Sequence, residues 1–144
     1  MTMKSAHILL VEDNEGDVFL TKEALNESEN SNTVSVARDG QEALDFIFKT
    51  NGFEEKTTPD LIILDVNLPK KNGHEVLYEL KNHDCYKQIP VIILSTSSSQ
   101  KDIDLSYQNY ANCYITKPIV VSDFIKAISW IQQFWLDTAT LPVN

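Results

Sequence analysis

Short apolar segments alternate with longer segments of helical periodicity along the chain. The segments with the length and composition of strands are residues 7–11, 33–37, 61–64, 91–94 and 112–116. Apolar positions recur at helical spacing in residues 14–26, 40–48, 74–82, 100–110 and 121–135. Most of the strand segments are apolar at nearly every position, which is typical of strands buried on both faces. The order predicts an α/β domain of the (βα)5 type, with helices covering both faces of a parallel five-stranded sheet.

Individual positions in the helices follow from the same periodicity. In the first helix Asn14 is the predicted N-cap. The side chains predicted to face the core in the first two helices are Val18, Phe19, Ala24, Leu25, Ala43, Leu44, Ile47 and Phe48. In the third helix they are Val76, Leu77 and Leu80. The segment 50–59 combines glycine, proline and charge and is predicted to be an exposed loop.

Polar residues stand at the carboxyl ends of four apolar segments. Glu12 and Asp13 follow the first, Asp65 the third, Ser95 the fourth and Lys117 the fifth. The carboxyl ends of parallel strands meet at one edge of the sheet, where α/β proteins bind ligands. Burying these charged groups without a partner or ligand would cost free energy. The sequence therefore predicts a metal-assisted phosphate site at this edge.

The residue types suit Mg²⁺, which prefers oxygen ligands and keeps several waters. Asp13 and Asp65 are the predicted carboxylate ligands, Glu12 is predicted to hold a metal-bound water, and the backbone carbonyl of Asn67 lies within reach if the loop turns there. A carboxylate at such a site is able to attack phosphorus and form an aspartyl phosphate. The Lys117 ammonium would then neutralise charge and the Ser95 hydroxyl would bind a phosphoryl oxygen.

Composition narrows the function classes. The chain has 144 residues, a formal net charge of −9 and no basic block, which argues against a nucleic-acid partner. No apolar run is long enough to span a membrane, and the first residues lack the pattern of a signal peptide. Cys85 and Cys113 show no CxxC spacing, so we expect reduced core thiols in a cytoplasmic protein.

Four segments resemble the receiver domain of two-component response regulators: ILLVEDN, LIILDVNLPKKNG, PVIILSTS and YITKP. The resemblance runs from about Ala6 to Trp135 and implies a flavodoxin-like strand order 2-1-3-4-5. It also implies a single receiver domain spanning 1–144, with a short tail at 136–144 and no output domain. The pieces NLPKKNG, NCYITKP and FWLDTATLP are further similar to the cyanobacterial regulators that serve phytochrome histidine kinases.

The resemblance assigns roles to particular positions. Asp65 would be the phosphoacceptor, Glu12 and Asp13 the acidic pair, and Lys117 the family's conserved type of lysine. Ser95 would be the switch hydroxyl and Tyr114 the switch aromatic. Glu12 stands where an aspartate is more usual, and Ser95 where a threonine is common. Asn67 and Ser97 stand where receivers tune the lifetime of the phosphoryl group. The resemblance also implies a cis Lys117–Pro118 bond, which local contacts can select.

Two other functions compete with the regulatory one. Phosphatases of the haloacid-dehalogenase type also use an aspartyl nucleophile, but they need a second aspartate as general acid two residues later. Asn67 stands at that position, and an amide does not protonate a leaving group. A pseudo-receiver would act only as an interaction module, but such proteins usually lose part of the acidic cluster or the lysine. All of these residues are present.

The last helix carries two apolar stripes. Phe124, Ile128, Ile131 and Trp135 form the first, which is sufficient to cover the sheet. Ala127, Trp130 and Phe134 form the second, which Leu136, Leu141 and Pro142 would continue. We expect this second stripe to form a homodimer face with the fourth helix and fifth strand, because large exposed apolar patches usually mark interfaces. The alternative is that the tail folds back over Trp130 and Phe134 within one chain.

Overall fold

The computed structural model describes residues 5–26 and 32–142, and these residues form five strands and five α-helices. The strands are β1 (His7–Val11), β2 (Thr33–Ala37), β3 (Leu61–Leu64), β4 (Val91–Ser95) and β5 (Cys113–Thr116). The helices are α1 (Glu15–Asn26), α2 (Gly40–Phe48), α3 (Gly73–Lys81), α4 (Gln100–Gln108) and α5 (Val121–Ile131), and α5 continues into a π-helix, Gln132–Thr138. All five predicted strand–helix pairs are therefore confirmed.

The strands form one parallel sheet in the order β2-β1-β3-β4-β5. This is the predicted 2-1-3-4-5 order of the flavodoxin-like fold. The register aligns the carboxyl ends of the strands, because Val11 pairs with both Ala37 and Leu64 while Ser95 pairs with Thr116. The residues that follow these strands consequently meet at one edge of the sheet.

Successive residues of the central strands point to opposite faces and enter two separate core clusters of the described chain. Leu9, Val11, Ile62 and Leu64 pack with α2 and α3 on one face. Ile8, Leu10, Leu61 and Ile63 pack with α1 and α5 on the other. Both faces of the sheet are thus covered, which explains why these strands are apolar at every position.

Some predicted core positions were wrong. Phe19 is largely exposed, and the buried side chains of α1 are Val18, Thr21, Ala24 and Leu25. In α2 the prediction missed the buried Phe46, while Phe48 is partly buried and packs against the core as predicted. Both cysteines are free. Cys85 is exposed, so the prediction of a core thiol was wrong there, whereas Cys113 is partly buried and packs against the core.

The end of α5 differs from the predicted helix to residue 135. The chain widens into the π-helix at Gln132, and this wider turn brings Leu136 onto the buried face, five residues after Ile131. Leu136 belongs to the core and Leu141 packs against it. The prediction that these two leucines extend the exposed stripe was therefore wrong. Trp130 and Phe134 remain exposed and stack with ring centroids 5.8 Å apart.

Among the described residues, no helix is both long and apolar enough to cross a membrane.

Candidate functional site

Three carboxylates lie together where β1 and β3 end. The Asp65 N–H donates to the Val11 carbonyl at 3.1 Å, which continues the pairing of the two strands and places Asp65 beside Glu12. One carboxylate oxygen from each of Glu12, Asp13 and Asp65 lies within 4.8 Å of the other two. Glu12 and Asp65 are buried, while Asp13 is exposed. The structure thus brings the predicted acidic residues into one cluster with an open side.

Lys117 reaches into this cluster from the end of β5. Its N–H donates to the Ser95 carbonyl at 2.7 Å, which fixes the backbone at the strand end. Its ammonium donates to Asp65 Oδ2 at 3.1 Å, to Asp17 Oδ2 at 2.9 Å and to Glu12 Oε1. Asp17 was missed from the sequence. It stands in the first turn of α1, one helical turn after Asp13, so a search of helix starts at the same edge would have found it.

The Lys117–Pro118 bond is trans, so the prediction of a cis bond was wrong. With the trans bond, the lysine side chain already contacts the three carboxylates and its N–H already pairs with Ser95. The trans isomer is also the one that an X–Pro bond prefers intrinsically, by about 0.5–1 kcal/mol.

Burial and the neighbouring charges shift the pKa values of Glu12 and Lys117. Burial raises the pKa of Glu12 from its ordinary 4.5 to about 7; the Lys117 ammonium opposes this shift, and the negative charge of Asp65 adds to it. Burial by itself would lower the pKa of Lys117, but hydrogen bonds to Glu12 and Asp17 and the charge of Asp65 outweigh it and raise that pKa. One ammonium does not balance several carboxylates, so the cluster retains an affinity for a proton or a cation.

The donor set fits a hard divalent cation. Each of Glu12, Asp13 and Asp65 offers a carboxylate oxygen, and no softer ligand lies in the group that the described residues form. The loop after Asp65 turns as expected, with the Asn67 N–H donating to Asp65 Oδ1 at 3.1 Å. The role of the Asn67 carbonyl as a further ligand stays a prediction.

Gly73 allows the loop before α3 to approach Asp65 closely. A Cβ atom at this position would lie 2.2 Å from the Asp65 carbonyl oxygen, which is far closer than two such atoms can come. The Gly73 N–H also donates to the Val66 carbonyl at 2.8 Å. The start of α3 is thus held against the backbone of the candidate phosphoacceptor. The sequence indicated a loop at this glycine but not this contact.

Ser95 and Tyr114 both form hydrogen bonds with Ser97. Ser95 is fully buried, and its Oγ accepts from the Ser97 N–H at 3.2 Å. The Tyr114 hydroxyl donates to the Ser97 carbonyl at 2.8 Å, while the Tyr114 N–H donates to the Tyr107 hydroxyl at 3.1 Å. Burial is the main cause that raises the pKa of Tyr114. The candidate switch residues are therefore joined by the backbone of the loop between β4 and α4.

Comparison with known proteins identifies the family. The family model of the response regulator receiver domain matches residues 8–129. The chain belongs to this family. Its members are regulatory proteins, which favours the regulatory function over a haloacid-dehalogenase type of phosphatase.

Particular relatives cover nearly the whole chain. The response regulator Rcp1 of Synechocystis is 43% identical over 135 residues, which cover 94% of this chain and 92% of Rcp1. The crystal structure of the phosphorylated cyanobacterial phytochrome response regulator RcpA has a TM-score of 0.95 at 45% identity and covers 97% of this chain and 100% of RcpA. The Mn²⁺-bound form of Rcp1 has a TM-score of 0.94 at 42% identity and covers 96% of this chain and 99% of that structure. The receiver is thus related to cyanobacterial phytochrome response regulators.

Proposed function

We propose that this receiver accepts a phosphoryl group from the phosphohistidine of a sensor histidine kinase onto Asp65, in a Mg²⁺-dependent step. The observation that carries the proposal is the buried Asp65 carboxylate, which contacts the Lys117 ammonium and shares the carboxylate cluster with Glu12 and Asp13. Clustered carboxylates of this kind are able to hold the cation that phosphoryl transfer requires. That the Rcp1 relative has been crystallised with Mn²⁺ supports a divalent cation in the family.

The chemistry follows from the positions of the side chains. An Asp65 oxygen attacks phosphorus, the N–P bond of the phosphohistidine breaks, and its electron pair returns to the imidazole, which takes up a proton. Lys117 lies 3.1 Å from Asp65 Oδ2 and neutralises charge on the new acyl phosphate. The Ser95 hydroxyl would donate its O–H to a phosphoryl oxygen, which does not require its Oγ to stop accepting from the Ser97 N–H. A bound Mg²⁺ supplies further neutralisation of the phosphoryl oxygens, with Glu12, Asp13 and Asp65 as its holders.

Replacing the nucleophile tests the proposal. Incubation with a phosphorylated histidine kinase and Mg²⁺ should produce an acid-stable, base-labile label that Asp65→Asn and EDTA abolish. Asp84→Asn is the matched control, since Asp84 is exposed and lies outside the site. Labelling that survives in Asp65→Asn would place the nucleophile elsewhere. Absence of any label in the wild type with every kinase and with small phosphodonors would support the pseudo-receiver instead.

We propose a phytochrome-type kinase as the donor, because RcpA is a phytochrome response regulator and the sequence similarity to it spans the chain. Since a phosphohistidine derives its phosphoryl group from ATP, the proposed location is the cytoplasm. A phosphotransfer panel over the histidine kinases of the source organism, scored by initial rate, tests the pairing. The phytochrome-type kinase should transfer at least tenfold faster than the others. Equal rates throughout the panel would contradict the assignment.

The output is proposed to be a protein contact made by the receiver itself. The supporting comparison is Rcp1, of which the matched region covers 92%. One such contact is a homodimer through α4, β5, α5 and the tail. The exposed Trp130 and Phe134 support it, together with Tyr107 and Tyr110 on the side of α4. Aromatic side chains of this size are typical centres of interfaces.

Light scattering at micromolar concentration tests the dimer. Trp130→Glu and Phe134→Glu should each convert a dimer into a monomer, because a buried carboxylate at the centre of an apolar interface lacks a partner. Tyr78→Glu is the matched control, since Tyr78 is an equally exposed aromatic residue on α3. A wild-type monomer, or a dimer that both glutamate variants leave intact, would contradict this interface.

A further inference from the structure

The loop between β4 and α4 is held by a hydrogen-bond network outside the carboxylate cluster. Every polar group of Ser97 takes part in it. The N–H donates to Ser95 Oγ, the carbonyl accepts from the Tyr114 hydroxyl, and Ser97 Oγ accepts from the Ser99 N–H at 3.3 Å. The Ser97 hydroxyl in turn donates to Asp102 Oδ2 at 2.6 Å. Ser97 therefore contacts both switch residues, Ser95 and Tyr114, and also Asp102.

Asp102 connects the loop to a second helix. Its other oxygen, Oδ1, lies 2.9 Å from His74 Nε2 on α3. Hydrogen bonds from Ser97 and then His74 hold the pKa of Asp102 below its ordinary value, so the side chain is an ionised carboxylate at neutral pH. An ionised carboxylate only accepts hydrogen bonds, and the proton between the two groups therefore resides on His74 Nε2. Such charge-assisted bonds are stronger than neutral ones.

His74 stands on a rigid support. It is the second residue of α3, whose start is capped reciprocally by the side chains of Asn72 and Glu75. The preceding Gly73 lies against the Asp65 backbone. The His74 and Asp102 side chains are mostly shielded from solvent, with 14% and 27% of their areas exposed. The histidine thus has a fixed position relative to the phosphoacceptor, which a surface ion pair would lack.

We propose that His74 and Asp102 are positioning residues that hold the loop 96–99 in the arrangement joining Ser95 to Tyr114, and that they thereby set the lifetime of the phosphoryl group. The path from α3 through His74, Asp102 and Ser97 leads to both switch residues by direct contacts. Releasing it frees the loop, which loosens the contacts of the Ser95 hydroxyl and admits water to the phosphoryl group. The lifetime part of the inference rests on the proposed phosphorylation of Asp65, whereas the loop part does not.

Amide hydrogen exchange in the unphosphorylated protein tests the loop part. His74→Phe keeps an aromatic ring but lacks the donor, and Asp102→Ala removes the acceptor while leaving the backbone N–H that Ser99 caps. Each change should accelerate exchange of the Ser97 N–H at least tenfold. His74→Gln presents a side-chain N–H and should restore most of the protection. Exchange at Ile93 inside the sheet serves as the reference and should stay within twofold.

The decay of the phosphorylated protein tests the lifetime part. His74→Phe and Asp102→Ala should each shorten the lifetime at least threefold, and the double variant should be no worse than the more affected single variant, because the two residues share one contact. His74→Gln should decay like the wild type. Glu79→Gln is the control, since Glu79 lies on the same helix as His74 but forms a separate, partly exposed ion pair with Lys71, which precedes the helix.

The outcomes separate the two proposals. Unchanged Ser97 exchange in both variants, or equal acceleration at Ile93, would overturn the positioning role. Accelerated Ser97 exchange with an unchanged phosphoryl lifetime would overturn the lifetime part alone. A wild-type protein that takes up no label would refute the proposed function and the lifetime part with it, while the exchange result still decides whether the pair positions the loop.

Discussion

The Lys117 ammonium should stabilise the metal-free protein more than any other charge at the site. Lys117→Met keeps the length and most of the volume of the side chain but leaves Glu12 and Asp65 buried beside each other without a cation. At distances near the 3.1 Å between the ammonium and Asp65, each ion pair has a gross attraction of about 5 kcal/mol at an effective dielectric constant of about 20. Desolvation of the buried charges offsets most of this.

The net cost is expected to be that of breaking a buried pair from one side, about 3–5 kcal/mol in the free energy of unfolding. Urea denaturation in EDTA at pH 8 measures it. Addition of Mg²⁺ should then stabilise the variant more than the wild type, because the cation no longer competes with the ammonium. Each tenfold gain in Mg²⁺ affinity corresponds to about 1.4 kcal/mol of extra stabilisation when the metal is in excess over its dissociation constant.

Lys126→Met is the matched control, since Lys126 is an exposed lysine on α5, and it should change stability by less than about 0.5 kcal/mol. A Lys117→Met protein within 1 kcal/mol of the wild type in EDTA, or an equal effect of Mg²⁺ on both proteins, would refute the reasoning. The first result would mean that the carboxylates avoid repulsion without the lysine. The second would mean that lysine and metal do not compete for the same charges.

Three further changes probe other parts of the site. Ser95→Ala should label within about threefold of the wild type. It should lose most of the response to phosphorylation, for which we expect a change of about 1–3 kcal/mol in dimer affinity, measured by light scattering with and without phosphorylation. Loss of labelling would instead place Ser95 in the chemistry. Gly73→Ala should lower the free energy of unfolding, measured by urea denaturation, by more than about 2 kcal/mol and slow the labelling of Asp65, because the new Cβ would clash with the Asp65 carbonyl. A stable variant with normal labelling would show that α3 can shift freely. Burial raises the pKa of Glu12 from 4.5 to about 7. Between these pH values the folded metal-free protein therefore binds a proton that the unfolded chain lacks. Its free energy of unfolding should fall by about 3 kcal/mol as the pH rises through this window. Glu12→Gln should flatten this decline in urea titrations, and an equally steep decline in the variant would assign it to another group.

The sequence alone determined the order of elements and the edge of the sheet at which the site forms. Buried parallel strands need apolar residues at every position, so the ends of these strands are marked where Glu12, Asp65 and Lys117 interrupt them. Because parallel strands align their carboxyl ends, the convergence of those residues required no knowledge of side-chain packing. Periodicity also identified Ile128 and Ile131 as the buried face of the last helix.

Tertiary structure decided whatever depends on contacts between distant segments. Burial of the Phe46 ring rather than Phe48, and the widening of α5 that turns Leu136 inward, depend on packing that a helical period does not specify. The local sequence does not specify the Lys117–Pro118 isomer, because the cis and trans forms of an X–Pro bond differ by only about 0.5–1 kcal/mol.

The sequence likewise did not predict which side chains contact one another around the candidate site. Asp17 lies 100 residues from Lys117, and His74 lies 28 residues from Asp102. Such pairs have no local signature, because a hydrogen bond between distant segments depends on the positions of both segments and not on the spacing of residues within either one. Sequence therefore determined which chemical groups stand at the edge of the sheet, and the packed structure decided which of them touch.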